Sequence, residues 1–335
     1  MKCVRIWLII RRNNRQKSGQ QYGKAEGRNK NLRKGEEVLK IAVVGSINID
    51  QTVIAERIPH KGETLPGHGL RYIPGGKGAN QAVAMARLGA ETAMFGCVGE
   101  DEYGRKMVDN LRANGVNADH VKVLKDVPTG MAIITVGEND NTIIVIAGAN
   151  GCVDRAYVDS VKEELLGYDM VVLQHEIPLD TVHYIVELCS AHNVPVVLNP
   201  APAAAVPAEI IEKVTWLTPN EHEAGLIFGS EYTAEDLLRR YPEKLVITQG
   251  SRGVSVGLKN GEVYNVPVRP AKVADTSGAG DTLNGAFCYR IAMGDSVKDA
   301  LRYANTAASL STEKFGAQGG MPTKEEVEKA LEEMK

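Results

Sequence analysis

After residue 40 the chain alternates short, nearly continuous apolar runs with longer amphipathic stretches, and that alternation leaves few folds open. Runs at residues 41–44, 170–173, 194–198, 215–217 and 245–248 are rich in β-branched residues and too short for independent helices. Helical patterns such as residues 179–192 and 233–241 separate several of them. Apolar strands need cover on both faces, and helical crossovers between them make the sheet mostly parallel. The expected fold is therefore α/β, with a mostly parallel central sheet and helices on both faces. Residues 52–72 and 130–146 break the pattern. They read as extended, and Glu138-Asn139-Asp140-Asn141 reads as a hairpin turn between two β-prone runs. They predict a small β lid, formed mainly from about 50–74 and 130–146, that would cover a site and exclude water. The lid's apolar face needs burial, which a second copy of the chain would supply.

The chain has 335 residues, of which 43% are hydrophobic, enough for a large core. A net charge of −3 gives no support for a nucleic-acid partner. Charge is uneven, however: residues 1–40 hold twelve Lys or Arg against three Glu, a net +9, which leaves −12 on the remainder. Residues 4–10 are too short an apolar run to span a bilayer. Arg11-Arg12-Asn13-Asn14-Arg15 follows in place of a small-residue cleavage site, so neither a membrane anchor nor a secretory signal is expected. Residues 1–38 read as a basic, disordered extension foreign to the fold, dispensable for catalysis, and residues 39–335 as the α/β domain. Cys3, Cys97, Cys152, Cys189 and Cys288 are scattered without paired metal spacing, which suits reduced thiols in a cytoplasm.

Polar residues stand just past the apolar runs: Asn48 and Asp50, then Glu176, Asn199, Asn220 and Glu223, and Thr248 with Gly250. Ligands bind outside the carboxyl ends of strands in open α/β sheets, so these side chains should line one rim. Each alone is as readily a turn residue or helix cap. Two glycine clusters join them. Asp275-Thr276-Ser277-Gly278-Ala279-Gly280-Asp281-Thr282 runs into an apolar, small-residue helix, so free N–H groups at its start favour an anion, phosphate above all. Asp281 would be repelled by phosphate and more plausibly faces a group that must lose a proton. The plain alternative is a capped helix after a Gly-rich turn. Pro74-Gly75-Gly76-Lys77-Gly78-Ala79-Asn80-Gln81 opens a second small-residue helix ending before Gly89, with Lys77 and Asn80 suited to a polyhydroxylated ligand. It is not a Walker A loop, because no Gly stands five residues before Gly76 and no Ser or Thr follows Lys77.

Taken with Gly45-Ser46-Ile47-Asn48-Ile49-Asp50, Ala147-Gly148-Ala149-Asn150, Asn199-Pro200-Ala201-Pro202, Asn220-Glu221-His222-Glu223-Ala224 and Gly316-Ala317-Gln318, these segments resemble the ribokinase branch of the carbohydrate kinase family. The resemblance covers about residues 41–331. It implies ATP-dependent phosphorylation of D-ribose at the 5-hydroxyl, with Mg2+ and K+ as cofactors and a homodimer formed through the lid. By the same resemblance Asp281 is the base, and Gly278, Ala279 and Gly280 form the anion hole. Asn48, Asp50, Gly76, Lys77, Asn80 and Glu176 hold ribose. Asn199, Thr248, Gly250, Gly253 and Asn305 contact ATP. Asp275, Ser277, Ser311, Lys314 and Gly316 surround the monovalent cation, and Asn220 and Glu223 match the magnesium and phosphate region. Gly320 departs from the pattern, standing where a serine is common near the cation. Sibling kinases acting on fructose, 2-keto-3-deoxygluconate or adenosine, and a non-catalytic sugar-binding protein, are the competing readings.

Overall fold

The computed structural model describes residues 39–138 and 140–334. The expected extension, residues 1–38, lies outside them. Six strands form a parallel sheet in the order β10-β9-β8-β1-β4-β5. They are β1 Lys40–Val44, β4 Glu91–Gly99, β5 Asn117–Leu124, β8 Met170–Gln174, β9 Val196–Asn199 and β10 Trp216–Leu217. Ile41, Val43, Val172 and Val197 point into one hydrophobic cluster, and Ala42, Val44, Val171, Leu173 and Leu198 into another. Successive side chains of a strand alternate faces, so an unbroken apolar run supplies both layers at once.

Four more strands build the lid: β2 Asn48–Ala55, β3 Gly67–Gly75, β6 Gly130–Gly137 and β7 Asp140–Ile146, ordered β3-β2-β6-β7. Pairing is antiparallel except for the parallel β2–β6 pair. The expected hairpin joins β6 to β7, with Glu138 at φ 53° and Asn139 outside the described residues. In the register Asp50 opposes Ala132, which opposes Val145, so these three share one lid face.

The run at 245–248 was expected as another strand of the parallel sheet. Parallel bridges Leu217↔Leu245 and Asn220↔Thr248 do tie it to β10. Its other edge instead opens a three-stranded antiparallel sheet of β11 Val246–Thr248, β12 Val254–Gly257 and β13 Val263–Val266. The reason is local: Gly250 (φ 56°) and Gly253 (φ 93°) reverse the chain within five residues, which leaves no length for a crossover helix.

Candidate active site

Glycine brings the rim together. Ala79 N–H donates to Ser46 O at 2.9 Å, docking the start of the helix Lys77–Arg87 on the turn between β1 and β2. A Cβ on Gly78 would lie 2.7 Å from main-chain atoms of Gly45 and Ser46, and Gly76 adopts φ 87°, so both positions need glycine. The same helix crosses the helix Ala279–Ala292 at Gly285, where a Cβ would stand 2.7 Å from Ala84 Cβ. These approaches set Asn80 and Gln81 directly against Asp281.

Asp281 occupies the first turn of Ala279–Ala292 behind the N-cap Gly278, which is left-handed at φ 74°. Its carboxylate is buried. Asn80 Nδ2 donates to Oδ2 at 2.9 Å and Gln81 Nε2 to Oδ1 at 3.1 Å. Asp281 holds the Lys77 ammonium above its usual range, opposed by burial and assisted by Glu176 and Glu223. Asp50 is half-buried, and burial, then Glu176 and Asp281, push its carboxyl up to about 7 from 3.8. Glu176 Oε2 accepts from Ser46 Oγ at 2.5 Å and from Lys77 N–H at 3.0 Å. Asn48 Oδ1 accepts from Asn150 Nδ2 at 2.6 Å, and Asn150 in turn accepts Ile47 N–H at 2.8 Å. Asn48, Asp50, Gly76, Lys77, Asn80 and Glu176 thus form one polar wall with Asp281 at its end.

A second wall lies on the opposite side of the Asp281 turn. A cavity of about 500 Å³ is lined by Thr248, Gly250, Gly253 and Asn305 together with Ala279 and Gly280. Val268, Val273 and Leu283 supply much of its remaining, mostly apolar surface. Asn305 Nδ2 donates to Pro267 O at 2.7 Å, which fastens the loop that follows β13 over this cavity. Asn199, expected with this group, does not line it. Its Oδ1 accepts from Gln81 at 3.1 Å and its Nδ2 donates to Thr218 O at 2.9 Å, so it braces the Asp281 network from beneath.

Asn220 and Glu223 form a reciprocal capping box at the start of the helix Glu221–Phe228, each accepting the other's N–H at 2.8 Å. Burial raises the Glu223 carboxyl and the Asn220 N–H, Lys77 and His222 partly offset that rise. Among the described residues no cluster of three or more His, Cys, Asp or Glu side chains could hold a metal, so an ion here would rely on this carboxylate, main-chain oxygens and a ligand's own phosphates.

Behind the Gly278 turn, Asp275 accepts Ser277 N–H at 2.8 Å and Gly316 N–H at 2.9 Å. The Ser311 and Lys314 carbonyls converge on Gly320: a Cβ there would stand 2.1 Å from Ser311 O and 3.4 Å from Lys314 O. These carbonyls, with the Asp275 carboxylate held by the Gly316 N–H, supply oxygens of the kind a monovalent cation would take.

Motif reading passed over four amides that organise Asp281: Gln81, Gln174, Asn284 and Gln318. Thr218 Oγ donates to Asn284 Oδ1 at 2.5 Å, and Asn284 Nδ2 donates to Gly280 O at 2.9 Å. Gln81 and Gln318 lie inside conspicuous motifs. Gln174 carried one visible signal, a polar residue ending an otherwise apolar strand.

Comparisons with known proteins give the family. The family model described as pfkB family carbohydrate kinase matches residues 38–324. The ribokinase of Bacillus subtilis is 47% identical over 291 residues, covering 87% of this chain and 99% of that protein. The ribokinase of Lactococcus lactis is 42% identical, covering 88% and 98% respectively. Among solved structures, the Arabidopsis thaliana ribokinase complexed with ribose and ATP aligns with a TM-score of 0.81 at 31% identity, covering 88% of this chain and 99% of that one. The chain belongs to the pfkB family of carbohydrate kinases.

Proposed function

We propose that this carbohydrate kinase transfers the γ-phosphoryl group of ATP to the 5-hydroxyl of D-ribose, giving ribose 5-phosphate and ADP. The observation that carries the reading is a single helix start with two walls. Asp281 faces the polar wall, while Ala279 and Gly280 face the cavity. A sugar hydroxyl on one side and a terminal phosphate on the other meet within one turn of helix. Relatives at 47% and 42% identity are ribokinases, and one solved relative is a complex with ribose and ATP.

The chemistry follows from placement. Phosphoryl transfer has a loose transition state with charge spread over the equatorial oxygens, so positioned N–H groups and alignment carry most of the catalysis. N–H groups of Gly278 and Gly280 would meet the transferring group, joined by that of Ala279 once it is released from Thr276 O, to which it donates at 3.2 Å. Asp281 orients the attacking hydroxyl and accepts its proton as the bridging oxygen departs with ADP. Asp50 and Glu176 accept the sugar's other hydroxyls, and Lys77 balances the three carboxylates. Mg2+ bound to the ATP phosphates would neutralise developing charge, with Asn220 and Glu223 beside it. K+ would sit among the carbonyls of Ser277, Ser311, Lys314 and Gly316 and the Asp275 carboxylate. A second copy of the chain would cover the exposed lid strand β7, giving a homodimer. The four described cysteines are free, which fits a cytoplasmic protein. No helix among the described residues is long and apolar enough to cross a membrane. Residues 1–38 are proposed to be dispensable, because the sheet's first strand starts at Lys40.

The test measures ATP consumption with ribose, fructose, 2-keto-3-deoxygluconate and adenosine, with Asp281→Asn alongside. Ribose should be preferred, and the variant should lose roughly 10²- to 10⁴-fold in kcat with both substrates still bound, the usual range for a general base. Preference for another acceptor would reassign the substrate. A variant retaining more than about a tenth of kcat, below that range, would remove Asp281 from the base role.

A further inference from the structure

The groups around Asp281 form a directional chain of carboxamides. A carboxylate only accepts hydrogen bonds, so the NH2 ends of Asn80 and Gln81 must face it. Asn80 Oδ1 is thereby turned away, and it accepts from Gln318 Nε2 at 3.0 Å. Gln318 Oε1 then has to accept, and Asn110 Nδ2 donates to it at 2.7 Å. On the other side Gln81 Oε1 accepts from Gln174 Nε2 at 2.7 Å. The sequence of orientations ends at Gln174 Oε1, which is buried with no partner. Asn80, Gln81, Gln174 and Gln318 are all buried, so no bulk water competes to reorient them. Every amide here has one allowed orientation, and each depends on its neighbour.

Gln318 has a second attachment. It lies on the short helix Ala317–Gly320, whose preceding residue Gly316 is held by Asp275. Arg87 reaches across to the main-chain carbonyls of Gln318 and Met321. The side chain that orients Asn80 is therefore fastened to the same loop that braces the helix start bearing Asp281.

We propose that Gln318 is a positioning residue for the phosphoryl-transfer step: by donating to Asn80 Oδ1 it holds the Asn80 NH2 group on Asp281 and so fixes the direction of the base. This rests on the reading of Asp281 as the base. Without Gln318 the buried Asn80 oxygen loses its donor, so the side chain is held only by its NH2 bond to Asp281 and can swing off the carboxylate. Other charges around Asp281 are Lys77 from the helix Lys77–Arg87, Asp50 from β2 and Glu176 after β8, with Glu223 facing Lys77 from the helix Glu221–Phe228. None of them contacts Gln318 by hydrogen bond, so substitution there leaves these charges in place.

Two variants and two readouts test this. Gln318→Met keeps the length and removes both hydrogen bonds. Gln318→Glu retains the pattern only when protonated, as an O–H donor to Asn80 and a carbonyl acceptor from Asn110. Expected are a roughly tenfold or greater fall in kcat for Gln318→Met with KM for ATP unchanged, and a kcat for Gln318→Glu that declines relative to wild type as pH rises. A merely structural role would not make the ratio titrate. The second readout needs no substrate: the 15N side-chain resonances of Asn80, assigned by Asn80→Asp, should be sharp and exchange-protected in the wild type and lose protection in Gln318→Met. Thermal melting of each variant separates unfolding from misorientation. A Gln318→Met protein with wild-type kcat, or an Asn80 carboxamide signal unchanged by it, overturns the proposal. A wild type inactive on ribose would instead overturn the substrate assignment, and the Asn80 signal would still decide the role of Gln318.

Discussion

At the scale of residues, Asp50 has its carboxyl pushed up to about 7 by burial and by Glu176 and Asp281. Its unfolded value is near 3.8, so between about pH 4 and 7 the native state holds a proton that the unfolded chain has released. Stability therefore falls as pH rises through that window, and the cost is fully present above it. Asp50→Asn is expected to raise resistance to urea at pH 8, and to match wild type at pH 4. The same variant should weaken ribose binding by about 1.5–3 kcal/mol, the scale of a charged hydrogen bond. Urea midpoints at the two pH values and calorimetric titration check both halves, and identical pH dependence for the two proteins would contradict the first. Lys77 and Asp281 stood out in the sequence because charged residues beside glycines at helix starts have few structural uses, and Asp50 because it follows the first apolar run. Gln81 and Gln174 were not, because an amide in a helix or at a strand end has an ordinary solvated reading. Only their burial against Asp281 gives them a task.

At the scale of elements, the close approach of the Ser311 and Lys314 carbonyls to Gly320 is the most exacting piece. A side chain at position 320 would collide with Ser311 O, so in this chain the backbone approach needs glycine. Potassium should raise kcat, with sodium giving little response, because an ion among these carbonyls braces the anion-hole helix without touching either substrate. Steady-state rates at matched ionic strength measure this. Gly320→Ala should abolish the response by displacing the Ser311 carbonyl. Equal rates with and without potassium in the wild type would rule the site out. The sequence located the strands near 41–44, 170–173 and 194–198 because buried parallel strands are unbroken apolar runs. It did not reveal β12 and β13, which are four residues each and carry polar Ser255 and Asn265 in a pattern that also fits a loop.

For the whole molecule, the outer lid strand β7 bears on assembly. Ile143 is 55% and Val145 54% exposed on the Asp50 face of the sheet, and Ile144 is 65% exposed on the other. An edge strand of bare branched residues is an invitation to pairing. Ile143→Lys combined with Val145→Lys should convert a dimer to a monomer in sedimentation and raise KM for ribose more than KM for ATP. A wild type that sediments as a monomer at micromolar concentration would exclude the dimer. Truncation before residue 39 should leave both constants unchanged.

The two walls of the site share only the first turn of Ala279–Ala292. The acceptor wall comes from β2, the Gly76 turn and the end of β8, and the donor wall from the end of β11, the turn after it, the loop before Gly278 and the helix Val297–Ser311. Lineages of this architecture can therefore drift in what they phosphorylate while inheriting the phosphate source unaltered. A single substitution in the acceptor wall, at Asn48 or beside Glu176, is open to selection at little risk to the nucleotide half. Novelty in such a lineage should accumulate on one side of the molecule, with the glycine turn as the hinge of its history.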